Sequence, residues 1–525
     1  MTRTRTFILS LLLTLPVILF LVHHYTNHSP ELHPTGFTAD ENVLYMSYAH
    51  QYIDQGNASL FYSNPFDGDP QSPKIYFQPV NFLFVPFLKM GADPGLVFSL
   101  FGLLMAFCCI YLGVRIIQHL LPDNKNQVLV TILFTWGGGL TALTGVGSSL
   151  LTGLPLSSWI DGIYVADPAN GWWGMNWGRT LFIPLEAYYH FLFLLNIYFI
   201  LKHKWTAAIA AAAFLSLSHP FTGIEFLLIT IGWLVLEKII FRNKKIPYWY
   251  LAGIVAITVF HGWYYLYYLN SFPEHKQIFS QYSAGWTYSF RIFIPAYILV
   301  LVLSFITFYK NRSIPKFLSE SHQRLFLCWA IIAFLLSKHE WFIKPMQPIH
   351  FTRGYVWAGL FLLGLPGLVW LAEYSRKKTA WKICFAVFIF LFLLDNTLWT
   401  GNHLRDKNKT EWEGYLTKDT KAVFTFLNKS TSRDDLLVGN APLINYMANA
   451  YAPVNTWASH PYNTPNRSGR VEVMKHFLET GIRPPEWANR RLILVVNKKE
   501  QSLPIHASLQ VNKIFENDTY IIFIP

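Results

Sequence analysis

Repeated apolar runs limit the folds that are open to this chain. A run of about 17 to 25 apolar residues is long enough to cross the hydrocarbon core of a bilayer as a helix. The chain is 52% hydrophobic and only 14% charged. It therefore predicts a polytopic α-helical membrane protein with about eleven transmembrane helices. The runs lie at residues 1–22, 94–118, 127–146, 181–201, 205–219, 221–241, 248–270, 291–309, 323–338, 352–373 and 380–398.

The formal charge of +12 reflects topology and does not indicate a nucleic-acid partner. Basic clusters at 202–204, 242–245, 310–316 and 375–378 fall in short loops between the runs. Such loops are typical of the cytoplasmic side. The segment 79–91 is apolar but only about 13 residues long, and if it crossed the membrane every cluster would lie outside. We therefore predict an interfacial helix there, a cytoplasmic N-terminus on a retained first helix, and an extracytoplasmic C-terminus.

The membrane pattern ends near residue 400. We predict a transmembrane domain at 1–400, with a first outer loop at 23–78 that carries juxtamembrane helices, and an extracytoplasmic α/β domain at 401–525. Strand-like runs near 436, near 491 and at the end of the chain alternate with helical stretches in this second part. Nucleotide-binding fingerprints such as G-x-G-x-x-G or a P-loop do not occur in the sequence.

An acidic stretch at 39–56 follows the first apolar run directly. Its apolar residues recur at helical spacing, which predicts an amphipathic helix on the bilayer surface, opened by Asp40 and Glu41. Thr38 and Glu41 also match a capping box, so Glu41 is either a helix cap or a functional acid. Asp40 is not part of the capping box and is therefore the better candidate for a catalytic role.

A second group of polar and aromatic side chains lies near the outer ends of the predicted helices. Ionisable groups at membrane depth are costly and tend to face a cavity, although any one of them could be a satisfied packing residue. Their clustering on one side favours an outward-facing, partly hydrated cavity. The tryptophan among them is either part of an interfacial belt or a stacking surface for a sugar. The cavity candidates are Asp161, Trp173, Arg179, Glu186, His190, His219, Glu225 and His350.

Cations that remain in the outer loops are candidate phosphate ligands, because the guanidinium fork matches a phosphate group. Arg353 is the first choice, since it follows a proline-rich loop and begins an apolar run, with Lys344 or Lys74 in support. Snorkelling to lipid headgroups is the alternative for each of them.

Cysteine and aspartate spacing does not indicate a disulfide framework or a zinc site. Cys108, Cys109, Cys328 and Cys384 all lie inside apolar runs. The sequence N-P-F-D-G-D-P, which contains Asp67 and Asp69, favours a plain turn over a calcium site.

Taken together, these motifs resemble the GT-C fold of polytopic glycosyltransferases that use polyprenyl-phosphate sugars, in their bacterial form. Members of that superfamily have an acidic pair that opens a juxtamembrane helix after the first span, matched here by Asp40 and Glu41. A second juxtamembrane segment begins at a K-P-P or H-P-P sequence, where this chain has Lys74 and Pro79 in S-P-K-I-Y-F-Q-P-V. The stretch from 436 to 500 resembles the small α/β tail of the bacterial members.

The resemblance implies transfer of a sugar from a polyprenyl phosphate or pyrophosphate to an acceptor hydroxyl on the outer face of the bacterial inner membrane, with inversion. Asp40 would be the general base, Glu41 would orient the acceptor, and Arg353 would neutralise the leaving phosphate. The acceptor would be a glycan, a lipid or a protein. A cofactor is not required, although the adjacent acids Asp40 and Glu41 permit Mg²⁺ or Mn²⁺.

Two rival functions stay open at this point. One is a transporter or flippase, which would favour paired half-repeats with broken spans that the sequence lacks. The other is a scaffold that binds a lipid-linked sugar without catalysis. An acid pair shows that catalysis is possible, but it does not show that catalysis takes place.

Overall fold

A computed structural model of the chain describes residues 2–39, 41–54, 59–69, 71–169, 171–281, 285–311, 313–405, 410–500 and 505–525. The helices are α1 (Arg3–Thr26), α2 (Val43–Asp54), α3 (Asn81–Lys89), α4 (Pro94–Leu120), α5 (Gln127–Trp136), α6 (Thr141–Thr152), α7 (Trp159–Ala166), α8 (Trp177–Thr180), α9 (Pro184–Leu201), α10 (Trp205–Ser218), α11 (Pro220–Val235), α12 (Tyr248–Gly262), α13 (Pro273–Gln281), α14 (Phe290–Asn311), α15 (Ile314–Phe317), α16 (Ser321–Ser337), α17 (Tyr355–Leu363), α18 (Leu365–Tyr374), α19 (Thr379–Arg405), α20 (Lys418–Ser430), α21 (Pro442–Tyr451) and α22 (Arg467–Thr480). The strands are β1 (Leu32–Pro34), β2 (Tyr415–Thr417), β3 (Leu436–Gly439), β4 (Asn455–Thr456), β5 (Leu492–Asn497), β6 (Lys513–Glu516) and β7 (Tyr520–Phe523).

The long apolar helices mark an integral membrane protein. Within the described ranges, five helices are long and apolar enough to cross a membrane: α1, α4, α9, α14 and α19. Two bent pairs, α5 with α6 and the segment Pro348–Leu363 with Leu365–Lys377, raise this number to seven if each pair is one span. Four other predicted runs form the shorter helices α10, α11, α12 and α16, of 14, 16, 15 and 17 residues.

Glycines interrupt two of the predicted spans. The run Gly137–Gly139 separates α5 from α6, which meet at 47°. A Cβ on Gly139 would lie 2.2 Å from the carbonyl oxygen of Ala296 and one on Gly137 would lie 2.2 Å from the ring of Phe392. The glycines therefore allow close packing, as such residues do between membrane helices, and they also end the first helix of the pair.

The described chain forms two compact units that do not follow chain order. The helical unit comprises Met1–Phe20, Gly102–Trp263 and Ser283–Asp406, and the mixed unit comprises Leu21–Phe101, Tyr264–Tyr282 and Lys407–Pro525. The helical unit contains nearly all of the apolar helices. The mixed unit joins the first loop region to the C-terminal residues, partly through the antiparallel pair of β1 and β2.

A five-stranded sheet with the order β4-β3-β5-β7-β6 forms the core of the mixed unit. The strands β4, β3 and β5 are parallel, whereas β7 runs antiparallel to both β5 and β6. Every residue of β3 is buried, and the apolar face that it shares with β5 packs on Phe477 of α22 and on Trp487. The α/β fold predicted for the C-terminal residues is confirmed.

The turn around Asp67 is attached to the C-terminal residues of the mixed unit by hydrogen bonds. The Arg470 guanidinium donates to the Asp67 carboxylate over 2.6 Å (Nη2 to Oδ1), and Arg490 donates to the Gly68 carbonyl oxygen over 2.8 Å. Asp69 accepts a bond of 2.8 Å from the backbone N–H of Gln71, as in an Asx turn. The side chains of this D-G-D sequence are thus occupied in a structural turn.

The juxtamembrane helix begins later than the sequence predicts. Helix α2 starts at Val43, and Glu41 precedes it with a φ of 64°, in the left-handed region. Glu41 therefore does not occupy the third helical position that a capping box with Thr38 would require. Asp40 lies outside the described residues. The segment predicted to be interfacial forms the short helix α3.

Candidate active site

The start of α9 presents two polar side chains to the interior of the helical unit. Pro184 occupies the first position of this helix, where its missing N–H costs nothing. Glu186 and His190 follow one turn apart and are both buried. The His190 ring lies with Nδ1 2.6 Å from the Glu186 carbonyl oxygen and Nε2 2.8 Å from the Arg353 carbonyl oxygen. His190 thereby ties α9 to the segment that precedes α17.

Arg353 lies at the centre of this buried cluster. Its guanidinium donates to the Glu186 carboxylate and contacts Nδ1 of His350. The guanidinium carbon is 6.0 Å from the centre of the Trp173 ring. The next residue, Gly354, has a φ of 77°, and a Cβ there would lie 2.4 Å from Cα of Trp177. Only glycine fits this close approach, which fixes the backbone that carries Arg353.

Helix α11 contributes two further side chains to the cluster. His219 caps this helix, since its Nδ1 accepts a bond of 3.2 Å from the Thr222 N–H, and its ring stacks on Tyr189 at 4.4 Å. Glu225, two turns further on, is fully buried within electrostatic range of Arg353. Neither of its carboxylate oxygens makes a hydrogen bond.

Several other polar atoms of the cluster also lack a hydrogen-bond partner. Buried polar groups in proteins are nearly always bonded, so a group of unbonded atoms indicates a place for water or a polar ligand. These atoms are Oε2 of Glu186, Oε1 and Oε2 of Glu225, Nε2 of His350, Nε of Arg353 and the Tyr297 hydroxyl.

Arg179 forms a separate cationic position in the helical unit. It is 4% exposed, and its Nε and Nη1 atoms make no hydrogen bond. The guanidinium carbon lies 5.2 Å from the Trp172 ring centre and 5.9 Å from that of Trp399. Burial lowers the pKa of Arg179 to about 10, which leaves it charged at neutral pH.

Asp395 exerts an electrostatic influence on Arg179 but is fully engaged elsewhere. It accepts hydrogen bonds from Gly139 N–H (3.1 Å), Thr141 N–H (3.0 Å), the Thr141 hydroxyl (2.6 Å) and Ala142 N–H (2.7 Å). These donors lie at and before the N-terminus of α6, so Asp395 caps that helix.

Two further candidate acidic residues, Glu41 and Glu413, lie in the mixed unit. Glu41 and the buried Glu413 both lie within electrostatic range of Tyr446. Burial, followed by these two carboxylates, raises the pKa of the Tyr446 phenol well above its ordinary value. Glu413 was missed by the sequence analysis, because an acid in a polar stretch more than 370 residues after Glu41 carries no local pattern.

The fold of the chain is similar to that of solved structures. No family model and no curated protein matches the sequence. The crystal structure of an oligosaccharyltransferase from Archaeoglobus fulgidus, tethered to an acceptor peptide with an NVT sequon, superposes with a TM-score of 0.50. The identity is 11%, over 94% of this chain and 69% of that chain. The chain has the GT-C fold.

Two structures of ArnT from Cupriavidus metallidurans are also similar to this chain. The one bound to undecaprenyl phosphate has a TM-score of 0.47 at 10% identity, over 99% of this chain and 98% of that chain. The apo structure has a TM-score of 0.45 at 12% identity, over 98% and 97%. The similarity to the oligosaccharyltransferase shows the fold alone.

Three of the predicted site residues are exposed, unlike the members of the buried cluster. Asp161 is exposed on α7, and Lys344 and Lys74 are exposed in loops. Among the described residues, no three His, Cys, Asp or Glu side chains are grouped so that they could hold a metal ion. The cluster itself brings together Trp173, Glu186, His190, His219, Glu225, His350 and Arg353.

Proposed function

We propose that this GT-C protein is a membrane glycosyltransferase, which moves a sugar from a polyprenyl-phosphate carrier to an acceptor hydroxyl on the outer face of the membrane. The observation that carries the proposal is the buried polar cluster around Arg353. Unbonded carboxylate, imidazole and guanidinium atoms within a set of apolar helices suit the polar head of a lipid-linked substrate.

In the proposed reaction the acceptor oxygen forms a bond to the anomeric carbon, from the face opposite the phosphate. The hydroxyl proton passes to the carboxylate of Asp40. The bond between the anomeric carbon and the phosphate oxygen breaks, and its electron pair leaves with the lipid phosphate. Inversion at the anomeric carbon follows from this single displacement.

The roles of the other residues follow from their settings. Arg353 is the one buried member of the three predicted phosphate ligands, and we assign it with Glu186 and His350 to recognition of the sugar phosphate. Glu413 and Glu41 both act electrostatically on Tyr446, and we assign Glu41 to acceptor orientation. A divalent cation, Mg²⁺ or Mn²⁺, would be held by Asp40 and Glu41 and would supply positive charge for the reaction.

The test is donor turnover in native membranes that contain the full chain and the endogenous acceptor. A panel of polyprenyl-phosphate sugars is offered to the wild type, to Asp40→Asn and to the control Asp518→Asn, an exposed acid in the turn between β6 and β7. We expect release of free polyprenyl phosphate in the wild type and the control, and its loss in Asp40→Asn at equal expression.

Release that persists in Asp40→Asn would reject Asp40 as the base, and Glu41→Gln would be measured next. If no donor is turned over in the presence of acceptor, the transferase is rejected in favour of a binding scaffold. Flux of the lipid-linked sugar across proteoliposomes without turnover would instead indicate a transporter.

A further inference from the structure

A groove lies between α1 and α4 in the helical unit. It has a volume of about 520 Å³ and is lined by Arg3, Thr4, Phe7, Phe107 and Tyr111. The Phe7 ring is 52% exposed and stands edge-on to Phe107, with 5.3 Å between the ring centres. A hydrogen bond of 2.7 Å from Gln118 to the Thr6 hydroxyl joins the two helices. The groove thus combines an aromatic wall with one arginine.

Two further cations lie at this end of the helical unit. Arg115 is within electrostatic range of the groove residue Tyr111, and its Nη2 donates to the Tyr198 hydroxyl over 3.4 Å. Lys202 Nζ lies 5.9 Å from the centre of the Tyr198 ring. In the part of the chain that the structure describes, Arg3, Arg115 and Lys202 form no ion pair with a carboxylate. An anion in the groove would therefore meet positive charge without a competing acid.

Helix α9 separates this end of the unit from the candidate active site. Glu186, the partner of Arg353, lies in the first turn of α9, whereas Tyr198 lies in its last turn and Lys202 follows it. A helix of 18 residues is about 27 Å long. The groove and its cations are thus remote from the Arg353 cluster, on the side of the membrane that the basic loops predict to be cytoplasmic.

The composition of the groove fits an anionic glycerophospholipid. Its volume lies within the range of about 300–1,000 Å³ that is typical of ligand pockets. Basic pockets between membrane helices bind anionic lipid head groups, and the guanidinium fork matches a phosphate group. The aromatic wall suits an acyl chain. A phosphatidylethanolamine also carries an ammonium group, which the surrounding cations would repel.

We propose that the groove between α1 and α4 binds an anionic glycerophospholipid of the phosphatidylglycerol class. Its phosphate lies against Arg3 and Arg115, and one acyl chain lies against Phe7 and Phe107. This lipid is neither the donor nor the acceptor of the proposed reaction, so that its binding does not depend on glycosyl transfer.

The experiment measures lipid binding by native mass spectrometry of the purified full chain in detergent. The probes are dioleoyl phosphatidylglycerol and dioleoyl phosphatidylethanolamine, with undecaprenyl phosphate as a competitor. The variants are Arg3→Gln, Arg115→Gln and Thr4→Phe, the last of which fills the groove and leaves its charge unchanged. Arg5→Gln is the matched control, because it removes the same charge from an exposed residue of α1 that does not line the groove.

We expect phosphatidylglycerol to bind the wild type and Arg5→Gln at least tenfold more tightly than phosphatidylethanolamine. Arg3→Gln and Arg115→Gln should each lose about fivefold in affinity, the factor that one cation contributes near a membrane surface. Thr4→Phe should lose tenfold or more. Undecaprenyl phosphate at equal concentration should not displace the bound phosphatidylglycerol. Arg3 and Thr4 are exposed, so their variants should keep the thermal midpoint of the wild type in the absence of lipid.

Equal affinity for phosphatidylethanolamine would overturn the anionic class of the lipid, and displacement by undecaprenyl phosphate would overturn the glycerophospholipid. Unchanged affinity in Thr4→Phe, or an equal loss in Arg5→Gln and Arg3→Gln, would assign the binding to the surface charge of the protein and overturn the groove. Loss of donor turnover in Asp40→Asn with unchanged lipid binding would support both proposals separately.

Discussion

Asp395 caps α6 through Thr141, whose backbone N–H and hydroxyl both donate to Oδ2 of its carboxylate, over 3.0 and 2.6 Å. Asp395 lies on α19, more than 250 residues away in the chain. The bonds therefore hold the bent pair of α5 and α6 against the last long helix. The Asp395 carboxylate therefore stabilises the fold, whereas the Glu225 carboxylate makes no hydrogen bond.

Replacing Asp395 with Ala is expected to destabilise the protein strongly. The change leaves four donors without an acceptor, and unsatisfied buried donors cost about 1–3 kcal/mol each before the structure relaxes. We expect a loss of about 3 kcal/mol or more in the free energy of unfolding, seen as a lower thermal midpoint in detergent. An unchanged midpoint would show that water replaces the carboxylate without loss.

Replacing Glu225 with Gln is expected to leave the thermal midpoint unchanged or to raise it. Its carboxylate is fully buried and makes no hydrogen bond, so that neutralising it removes a desolvation penalty and breaks no contact. The same unfolding measurement serves, with the Asp395 variant as the contrasting case. A fall of several degrees would mean that Glu225 holds Arg353 in place.

The pair of Arg353 and Glu186 is expected to show strong coupling. Removing one member of a buried ion pair leaves the other charge uncompensated, which costs about 3–5 kcal/mol. Arg353→Met and Glu186→Gln should each lower the stability, and the double variant should lose clearly less than the sum of the two. A double-mutant cycle of thermal midpoints measures this coupling, and additive losses would contradict it.

Asp67→Asn is expected to loosen the turn in the mixed unit. The change weakens a charge-assisted hydrogen bond to Arg470, a bond worth about 1.5–3 kcal/mol. Hydrogen exchange should become faster at residues 63–69 and around Arg470. A chelator should have no effect on the same amides in the wild type, whereas protection that depends on calcium would restore the metal site that the sequence analysis disfavoured.

The stability of the mixed unit is expected to fall in acid because of His460. This side chain is fully buried, and its Nδ1 accepts from the N–H groups of Tyr462 (3.0 Å) and Asn463 (3.1 Å). Burial, and then Arg467, lowers the pKa of His460 to about 3. In the unfolded chain the His460 imidazole is protonated as the pH falls below about 6.5, whereas in the folded chain it stays neutral until about pH 3.

The contribution of His460 is thus complete above pH 6.5 and is lost as the pH falls toward 3, with a slope of up to about 1.4 kcal/mol per unit. In His460→Asn, whose amide oxygen also accepts hydrogen bonds, the drop in thermal midpoint between pH 7.5 and pH 5 should shrink. An equal drop in both proteins would assign the acid sensitivity to other groups.

Much of the helical architecture was predictable because hydropathy is a property of contiguous residues. The runs at 94–118, 291–309 and 380–398 form single helices close to their predicted bounds, and the sheet of the mixed unit appears where strand-like runs were expected. The bends at Gly137–Gly139 and at Gly364 were not predicted, because they depend on close packing against neighbouring helices.

The sequence predicts which residues are candidates for the site, but it does not predict which of them contact one another. Topology alone placed Glu186, His190, Glu225 and Arg353 near the same ends of their helices. It could not exclude Asp161, which faces outward on α7, because one turn of a short helix decides between exposure and burial. It also could not distinguish Asp395 from Glu225, two acids in apolar helices with the same local pattern.

The sequence by itself determined that this chain must lie in a membrane, where the backbone hydrogen bonds of long apolar runs have to be satisfied within helices. It also determined which ionisable side chains such helices carry into the apolar interior. Only the tertiary structure decided which charges are matched. Arg353 is paired with Glu186, and Asp395 accepts hydrogen bonds from the start of α6. In contrast, Nε and Nη1 of Arg179 and both carboxylate oxygens of Glu225 make no hydrogen bond. The sequence does not show these pairings, because the partners come from helices that are far apart in the chain and depend on how those helices cross.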